Sequence, residues 1–170
     1  MCRPLDAEAF RIQPSEEVSP PWWNLGHTSW FFARNCLKPF DGVRESQDED
    51  FEPLLNSYYV SLGERVARGR RGLLSRPTTA EVYAYRASVD RRIEQLVMSV
   101  GDDQWPELAL ALTIGIQHEQ QHQELFFTEV KSILAQNPPH LRTAYRRQPR
   151  QLAPTAAVAG TRFIDYEGGL

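Results

Sequence analysis

The sequence predicts an all-α protein, and two observations lead to this prediction. Apolar side chains recur at intervals of three and four residues in several long segments, which is the spacing of one face of an α-helix. Proline, glycine and short acidic turns separate these segments, and a chain of 170 residues has room for one domain with a hydrophobic core. We therefore expect a helical bundle with short tails.

The first long helix is predicted from about Trp22 to Leu37. Residues 1–21 before it carry prolines and little apolar periodicity, so we expect an extended lead-in with one short helical turn near Asp6–Phe10. Ser19 and the two prolines after it form a helix-start signal, because serine can cap a helix and proline is tolerated in its first turn. Pro39 is expected to end the helix.

The middle of the chain predicts a loop, a shorter helix and a second loop. Residues 38–50 are acidic and rich in turn formers, so a surface loop is expected there. From Phe51 to about Glu64 the apolar spacing returns and predicts a helix. Glycines then interrupt the pattern, so the arginine cluster between Arg65 and Arg76 is expected on a loop.

Two longer helices complete the predicted bundle. Thr78, followed three residues later by Glu81, has the form of a capping box and predicts a helix start. This helix should end at Gly101. The last helix is predicted from Trp105 to about Ala135 and should end before the prolines at positions 138 and 139.

The composition changes after residue 139, which we take as the end of the helical domain. Residues 140–162 are basic and contain alanine and proline without an apolar period, as is typical of a linker. Residues 161–170 alternate like a strand that runs into glycines. We therefore expect residues 140–170 to be a linker and the beginning of a second, truncated domain.

The overall composition excludes several classes of protein. A net charge of -3 offers no electrostatic footprint for nucleic acid or an acidic membrane surface. No apolar run approaches the roughly 20 residues of a membrane span. The two cysteines are too few for a disulfide framework or a thiolate metal site. The N-terminus lacks the basic start and apolar middle of a signal peptide, so we expect a cytoplasmic protein.

The most informative segment is His118-Glu119-Gln120-Gln121-His122, within the last predicted helix. Histidines four residues apart on a helix lie on one face and can offer two imidazole nitrogens to one metal ion. Both border the apolar stripe, and several glutamines surround them. The simpler interpretation is a pair of core or surface histidines with ordinary hydrogen-bond partners. The glutamines favour a metal site, because they can support metal-bound imidazoles.

His27 supplies a possible third imidazole from the first long helix. Three neutral nitrogens without a carboxylate would leave positions open for substrate and for water or dioxygen. Imidazole suits zinc, iron, copper and nickel, so the ligand set does not select the metal. A single histidine within an aromatic stripe is, however, more often structural.

Other chemistry-bearing patterns have competing interpretations. The pattern His-Glu-x-x-His also matches zinc proteases, in which the glutamate is the general base, but no glutamate occurs at positions 137–160 to serve as a third ligand. The arginine cluster is either a solvated basic loop or a clamp for substrate carboxylates. The tryptophans and phenylalanines of residues 22–32 are more typical of a core, although an aromatic wall can also hold a trimethylammonium group.

Three blocks of the sequence resemble a known family. The blocks SPPWWNLGHTSWFF, RGLLSRPTTAEVYAYRASVD and GIQHEQQHQELFFTEVKSIL are similar to the DinB-like N-terminal domain of the ergothioneine-biosynthesis sulfoxide synthases, the EgtB family. The resemblance covers residues 19–138 and implies a DinB-like four-helix bundle. Only about 20 residues precede the first block, so most of the family's leading helix is expected to be missing.

The resemblance also implies a site and a reaction. His27, His118 and His122 would bind non-haem Fe(II), for which zinc or nickel can substitute on expression. Gln121 would contact the imidazole of Nα-trimethylhistidine, whereas Arg68 and Arg71 would hold the carboxylates of a thiol substrate, either cysteine or γ-glutamylcysteine. Dioxygen would be used to join the thiol to the imidazole C2 carbon as a sulfoxide.

The family's second domain, similar to the formylglycine-generating enzyme, would supply a catalytic tyrosine and part of the substrate pocket. The tail TRFIDYEGGL resembles the entry into that domain, so this fragment alone is expected to be inactive and to contain no catalytic residue of its own. Two alternatives remain open at this point. One is a stand-alone DinB-like metal-dependent thiol transferase or hydrolase, and the other is a non-catalytic metal-binding bundle.

Overall fold

The computed structural model describes residues 1–41, 46–57 and 65–142, together with Gly168. Its long elements are four helices, which we number α1 (Pro21–Phe32), α2 (Ser46–Leu55), α3 (Thr79–Ser99) and α4 (Trp105–Ala135). Short 3-10 helices occupy Ala9–Arg11, Arg68–Leu73 and Pro139–Leu141. The described part of the chain contains no strand, which confirms the all-α prediction.

The first helical rod extends beyond its predicted end. After α1 the backbone continues through a π-helical turn, Ala33–Leu37, and an α-helical turn, Lys38–Asp41. The prediction that Pro39 ends the helix is therefore wrong. Pro39 lies in the first turn of the α-helical segment Lys38–Asp41, a position at which proline is tolerated. The wider π-helical turn before it provides the change of register.

The predicted loop at residues 38–50 is also wrong in part. Helix α2 begins at Ser46 and ends at Leu55, so it starts earlier than the predicted helix from Phe51 to Glu64. Asp48 and Glu49 lie in its first turn, where negative side chains interact favourably with the helix dipole. The acidic residues of this segment indicated a loop, but Asp48 and Glu49 instead stabilise the start of a helix. Residues 58–64 of the predicted helix lie outside the described part of the chain.

The two long helices follow the sequence closely. Thr78 caps α3 as predicted, since its hydroxyl accepts from the backbone N–H of Glu81 at 3.2 Å and the Glu81 carboxylate accepts from the N–H of Thr78 at 2.6 Å. Helix α4 has the predicted bounds, Trp105–Ala135. The arginine segment expected as a loop contains the 3-10 helix Arg68–Leu73, which is too short to show an apolar period.

Helix α1 lies at the centre of the bundle and packs against both α3 and α4. It is buried nearly all round, as expected of a helix with neighbours on opposite faces. Its tryptophans, Trp22, Trp23 and Trp30, are each at most 2% exposed and form the middle of the core. The close approach of α4 requires Gly115, because a Cβ atom there would lie 2.5 Å from Phe32 Cε1. This packing brings His27 of α1 against the middle of α4.

The ends of the chain bear on the remaining predictions. Residues 1–20 contain the 3-10 helix Ala9–Arg11 in place of a long leading helix. No helix among the described residues has both the length and the apolar character needed to cross a membrane. The expected linker and second-domain start lie almost entirely beyond residue 142, outside the described residues, so the boundary at residue 139 stays a prediction.

Candidate metal centre

Three histidines predicted from the sequence meet between α1 and α4. His27 is buried, and His118 and His122 are half-buried. One ring nitrogen from each lies within 4.8 Å of the other two. The Nε2 atoms of His27 and His118 are 3.3 Å apart. The helical spacing of four residues accounts for the pair on α4, and the packing of α1 against α4 supplies the third ring.

The backbone of α2 fixes the orientation of His27. Its Nδ1 lies 2.6 Å from the carbonyl oxygen of Leu55. A carbonyl oxygen only accepts, so Nδ1 carries the proton and donates it. The lone pair of His27 is therefore on Nε2, the atom that faces the other histidines. Trp23 stacks on the same ring, with centroids 4.5 Å apart and an interplanar angle of 11°.

A chain of polar groups fixes His122 in the same way. Its Nδ1 lies 2.9 Å from Oδ1 of Asn24, and Nδ2 of Asn24 donates to Oε2 of Glu129 at 2.5 Å. The other carboxylate oxygen of Glu129 accepts from the backbone N–H of Ser19 at 2.8 Å. Asn24 and Glu129 are 4% and 5% exposed, so these bonds are shielded from competition with water.

His118 is held differently from the other two histidines. Phe31 stacks on its ring, with centroids 4.0 Å apart and an interplanar angle of 24°. Its Nδ1 is buried and has no hydrogen-bond partner among the described residues. Its Nε2 is within hydrogen-bond distance of His27 Nε2. Since Nε2 of His27 is unprotonated, His118 supplies the proton of this bond in the metal-free chain.

All three imidazoles favour the neutral form. Burial is the main cause in each case, and it lowers the pKa of His27 well below 6.5 and the pKa of His118 to a smaller extent. Burial, His118 and the positive charges of Arg71 and Arg68 lower the pKa of His122 to about 4. Neutral imidazoles are the form in which histidine binds metal ions. At neutral pH, a metal ion would therefore not have to displace histidinium protons.

The donor set fits a metal ion. A metal–nitrogen bond of about 2.0–2.1 Å places two nitrogens on one ion roughly 3–4 Å apart, and the Nε2 atoms of His27 and His118 lie at such a distance. Two of the rings already have their lone pairs directed to a common point. The unpartnered Nδ1 of His118 can take the proton that its Nε2 would release. These three residues can hold a metal ion, whose identity the ligands do not determine.

The three histidines border a cavity of about 620 Å³, which we call the histidine cavity. Arg65, Arg68 and Arg71 line it, together with Gln121 and Phe31. Among its described lining residues there is no aspartate or glutamate. A volume of this size accommodates a small organic ligand. The arginine side chains make its surface electropositive, which favours an anionic ligand.

The predicted substrate residues occupy distinct environments in this cavity. Gln121 is exposed on α4. It lies about one helical turn after His118 and directly before His122 in the chain. The side chain of Arg68 is 47% exposed, and its Nη2 atom lies 3.8 Å from Oε1 of Glu129. Arg71 is only 5% exposed. Its guanidinium carbon lies 3.3 Å from the centroid of the Trp23 ring, and Nη1 donates to Ser19 Oγ at 2.8 Å.

The glutamate of the His-Glu-x-x-His pattern, Glu119, is not among the residues that line the histidine cavity. Oε2 of Glu119 accepts from Nη1 of Arg86 at 2.9 Å, and both residues line a second cavity of about 430 Å³, which His122 also borders. A general base must reach a proton of the bound water or substrate. Glu119 is engaged elsewhere, so the geometry does not support the protease interpretation.

Sequence reasoning missed Asn24, Glu129 and the Leu55 carbonyl. Two signals pointed to the first two residues. Asn24 lies three residues before His27, on the same face of α1, and Glu129 lies two helical turns after His122. Both are polar residues within apolar segments, where a buried partner is needed. A backbone carbonyl carries no sequence signal, so Leu55 was not predictable.

Comparison with known families agrees with this architecture. A family model described as DinB superfamily matches residues 1–126, which include α1, α2, α3 and all three histidines. A comparison with curated proteins finds no match. Domains of this superfamily often bind metal ions, in keeping with the three imidazoles that meet here. The match covers 126 of the 170 residues and confirms the predicted DinB-like helical bundle: this chain belongs to the DinB superfamily.

Proposed function

We propose that this chain is the iron-binding domain of a non-haem Fe(II)-dependent sulfoxide synthase of the EgtB type. The observation that carries the proposal is the convergence of three neutral imidazoles, without a carboxylate, at the edge of an arginine-lined cavity. His27, His118 and His122 would hold Fe(II). The bound ion would supply the activation of dioxygen and leave coordination positions open for substrates. The three sequence blocks similar to EgtB domains support the same assignment.

The proposed substrates match the chemistry of the cavity. Arg68 presents an accessible guanidinium that can donate two parallel hydrogen bonds to a substrate carboxylate. Gln121, one residue before His122, can exchange hydrogen bonds with the imidazole of Nα-trimethylhistidine. Together these groups would place the thiol sulfur and imidazole C2 next to each other, and such positioning accelerates bond formation.

The proposed reaction balances with dioxygen as the oxidant. The S–H bond of the thiol and the C2–H bond of the imidazole break, and a C2–S bond and an S=O bond form. One oxygen atom of dioxygen enters the sulfoxide, and the other leaves as water with the two released hydrogens. The four electrons removed from the two substrates are those that dioxygen accepts. A second domain similar to the formylglycine-generating enzyme would supply the catalytic tyrosine.

An aerobic assay of the Fe(II)-loaded chain tests this proposal. Oxygen consumption is measured with a thiol and Nα-trimethylhistidine, separately and together, with and without a supplied second domain. We expect consumption only when both substrates and the second domain are present. Cysteine and γ-glutamylcysteine are compared as thiols. Oxygen consumption that does not depend on trimethylhistidine would overturn the proposal.

The alternative function is a stand-alone metal-dependent thiol transferase or hydrolase. The superfamily match favours this alternative, since DinB-like proteins are often metal-dependent enzymes. The same assay separates the two functions once an electrophilic acceptor is added, because a transferase would join the thiol sulfur to that acceptor, with release of its leaving group and the thiol proton, without oxygen uptake and without a second domain. Failure of the chain to bind metal would instead favour a degenerate bundle without a metal site.

The arginines provide a second test in the complete, two-domain protein. Arg68→Ala should raise the KM for the thiol with a smaller effect on kcat, because the removed contact is made in the ground state and the transition state alike. Arg71→Ala is also expected to raise this KM. Arg70→Ala is the matched control, since Arg70 belongs to the same 3-10 helix, is exposed and is not among the residues lining the cavity. An unchanged KM would remove the tested arginine from the substrate site.

A further inference from the structure

We propose that Asn24 and Glu129 act as a pair of positioning residues that fix the tautomer and orientation of His122 for metal binding. The inference rests on the proposed function, because it takes His122 as a metal ligand. Neither residue would touch the metal or the substrates. Their effect would pass through the imidazole ring of His122.

The direction of each hydrogen bond follows from the chemistry of Glu129. A carboxylate accepts hydrogen bonds and has no proton to donate. Both of its oxygens are engaged, one by the backbone N–H of Ser19 and the other by Nδ2 of Asn24. The amide nitrogen of Asn24 must therefore face Glu129. Its oxygen, Oδ1, is then left facing His122.

This orientation determines where His122 carries its proton. Oδ1 of Asn24 can only accept, and it lies 2.9 Å from Nδ1 of His122. Nδ1 must therefore be protonated, so the lone pair is on Nε2. In this way the charge of a glutamate 105 positions away from Asn24 selects the tautomer in which His122 can bind a metal through Nε2. Partners of this kind typically contribute a factor of about 10–100 to metal affinity.

The same carboxylate is connected to the arginine wall of the histidine cavity. Arg68 lies 3.8 Å from Oε1 of Glu129. Arg71 donates to the Oγ of Ser19, whose backbone N–H donates to that same oxygen. These contacts act on Oε1 of Glu129, whereas Asn24 donates to Oε2. The buried carboxylate of Glu129 is thus linked, directly or through one other residue, to both proposed substrate arginines and to the proposed metal ligand His122.

Glu129→Gln is the most direct variant, because it changes the charge and one hydrogen-bonding group but hardly the shape. The backbone N–H of Ser19 is a fixed donor, so the new amide must turn its oxygen to Ser19 and its NH₂ group to Asn24. Asn24 then rotates to present Oδ1 to that NH₂ group and Nδ2 to His122. His122 is forced to accept at Nδ1 and to carry its proton on Nε2. This tautomer cannot bind a metal through Nε2.

Two measurements on the full chain detect this change. In the metal-free protein, ¹⁵N spectra of the histidine rings report which nitrogen is protonated. We expect Nδ1–H for His122 in the unmodified chain and Nε2–H in Glu129→Gln. Titration with Co(II), followed by its visible absorption, should show affinity reduced about 10–100-fold in the variant. Glu124→Gln is the control, since Glu124 is an exposed residue of the same helix, and it should change neither result.

A double variant tests the order of the two groups. Asn24→Asp combined with Glu129→Gln exchanges the carboxylate and the amide. The amide at position 129 can accept from Ser19 and donate to the carboxylate at position 24, which then accepts from Nδ1 of His122. We expect this double variant to regain Nδ1–H on His122 and most of the Co(II) affinity. A general loss of packing would not be repaired by this exchange.

The outcomes separate this inference from the proposed function. If the unmodified chain binds Co(II) and Glu129→Gln keeps both Nδ1–H and full affinity, the positioning role is refuted and the metal site stands. If Glu129→Gln does not fold, the double variant decides alone, and loss of Co(II) binding by a folded double variant refutes the role. Absence of stoichiometric Co(II) binding by the unmodified chain would overturn the metal site and this inference together.

Discussion

Arg71→Ala should destabilise the fold, because this side chain is an internal contact of the bundle. Its guanidinium carbon lies 3.3 Å from the centre of the Trp23 ring, and it donates to Ser19 at 2.8 Å. A desolvated cation–π contact contributes about 2 kcal/mol, and a hydrogen bond from a charged group about 1.5–3 kcal/mol. Against this, the ordered arginine loses roughly 2 kcal/mol of side-chain entropy on folding. We expect a net loss of about 1.5–3 kcal/mol in the free energy of unfolding.

Urea unfolding, followed by far-ultraviolet circular dichroism and tryptophan fluorescence, measures this loss. A change of about 1.5–3 kcal/mol corresponds to a decrease in Tm of roughly 3–12 °C for a chain of this size. Arg70→Ala removes the same charge from an exposed neighbour and should stay within about 0.5 kcal/mol. Equal stability of Arg71→Ala and Arg70→Ala would refute the reasoning. It would mean that the cation–π and Ser19 contacts do not stabilise the fold.

Four further predictions follow from the described geometry. His122→Ala should abolish stoichiometric metal binding in elemental analysis and leave the circular dichroism spectrum nearly unchanged. His140 is exposed, so the control variant His140→Ala should bind metal as before. Global unfolding of His122→Ala would assign His122 a structural role. Thr78→Ala should lower the free energy of unfolding by about 1 kcal/mol, because it removes the α3 cap, and an unchanged urea midpoint would contradict this. Gly26→Ala should lower the free energy of unfolding by up to about 2 kcal/mol, because the new Cβ would lie 2.7 Å from a side-chain carbon of the fully buried Leu55. This overpacking outweighs the gain in helix propensity. A more stable variant would contradict the prediction. The pKa of His122 is about 4 when folded, against an ordinary 6.5, so the unfolded metal-free chain takes up protons first, and its stability should fall from pH 6.5 towards pH 4. His27 and His118, whose pKa values are also lowered, contribute to the same slope, so His122→Ala should give a shallower profile than the unmodified chain, and equal slopes would contradict the prediction.

The elements that local chemistry determines were predicted well. Thr78 and Glu81 form the capping box that their spacing indicates, and α4 runs between the residues expected to begin and end it. Predictions failed where tertiary packing prevails over local signals. Pro39 normally ends a helix, but here a preceding π-helical turn allows the rod to continue to Asp41. No local pattern indicates such a change of register.

The candidate site, like the fold, could be predicted only in part from the sequence. The spacing of His118 and His122 places them on one face of α4, and this part follows from the sequence alone. The contribution of His27 depends on the packing of α1 against α4, which the sequence could suggest through a second histidine in an apolar helix. The pairing of Asn24 with Glu129 required the structure, because the two residues are far apart in the chain and each is unremarkable by itself.

The polar residues inside α1 are better explained by the site than by stability. A central helix with neighbours on both sides is most stable when its buried positions are apolar, since buried polar groups cost free energy unless fully paired. Yet α1 buries Asn24 and His27 among its tryptophans, and the carboxylate of Glu129 on α4 accepts a hydrogen bond from Asn24. Replacing a buried charged pair by apolar residues is often neutral or stabilising. Because Asn24 and Glu129 instead set the tautomer of His122, we take this departure from an apolar core to mark the candidate metal centre.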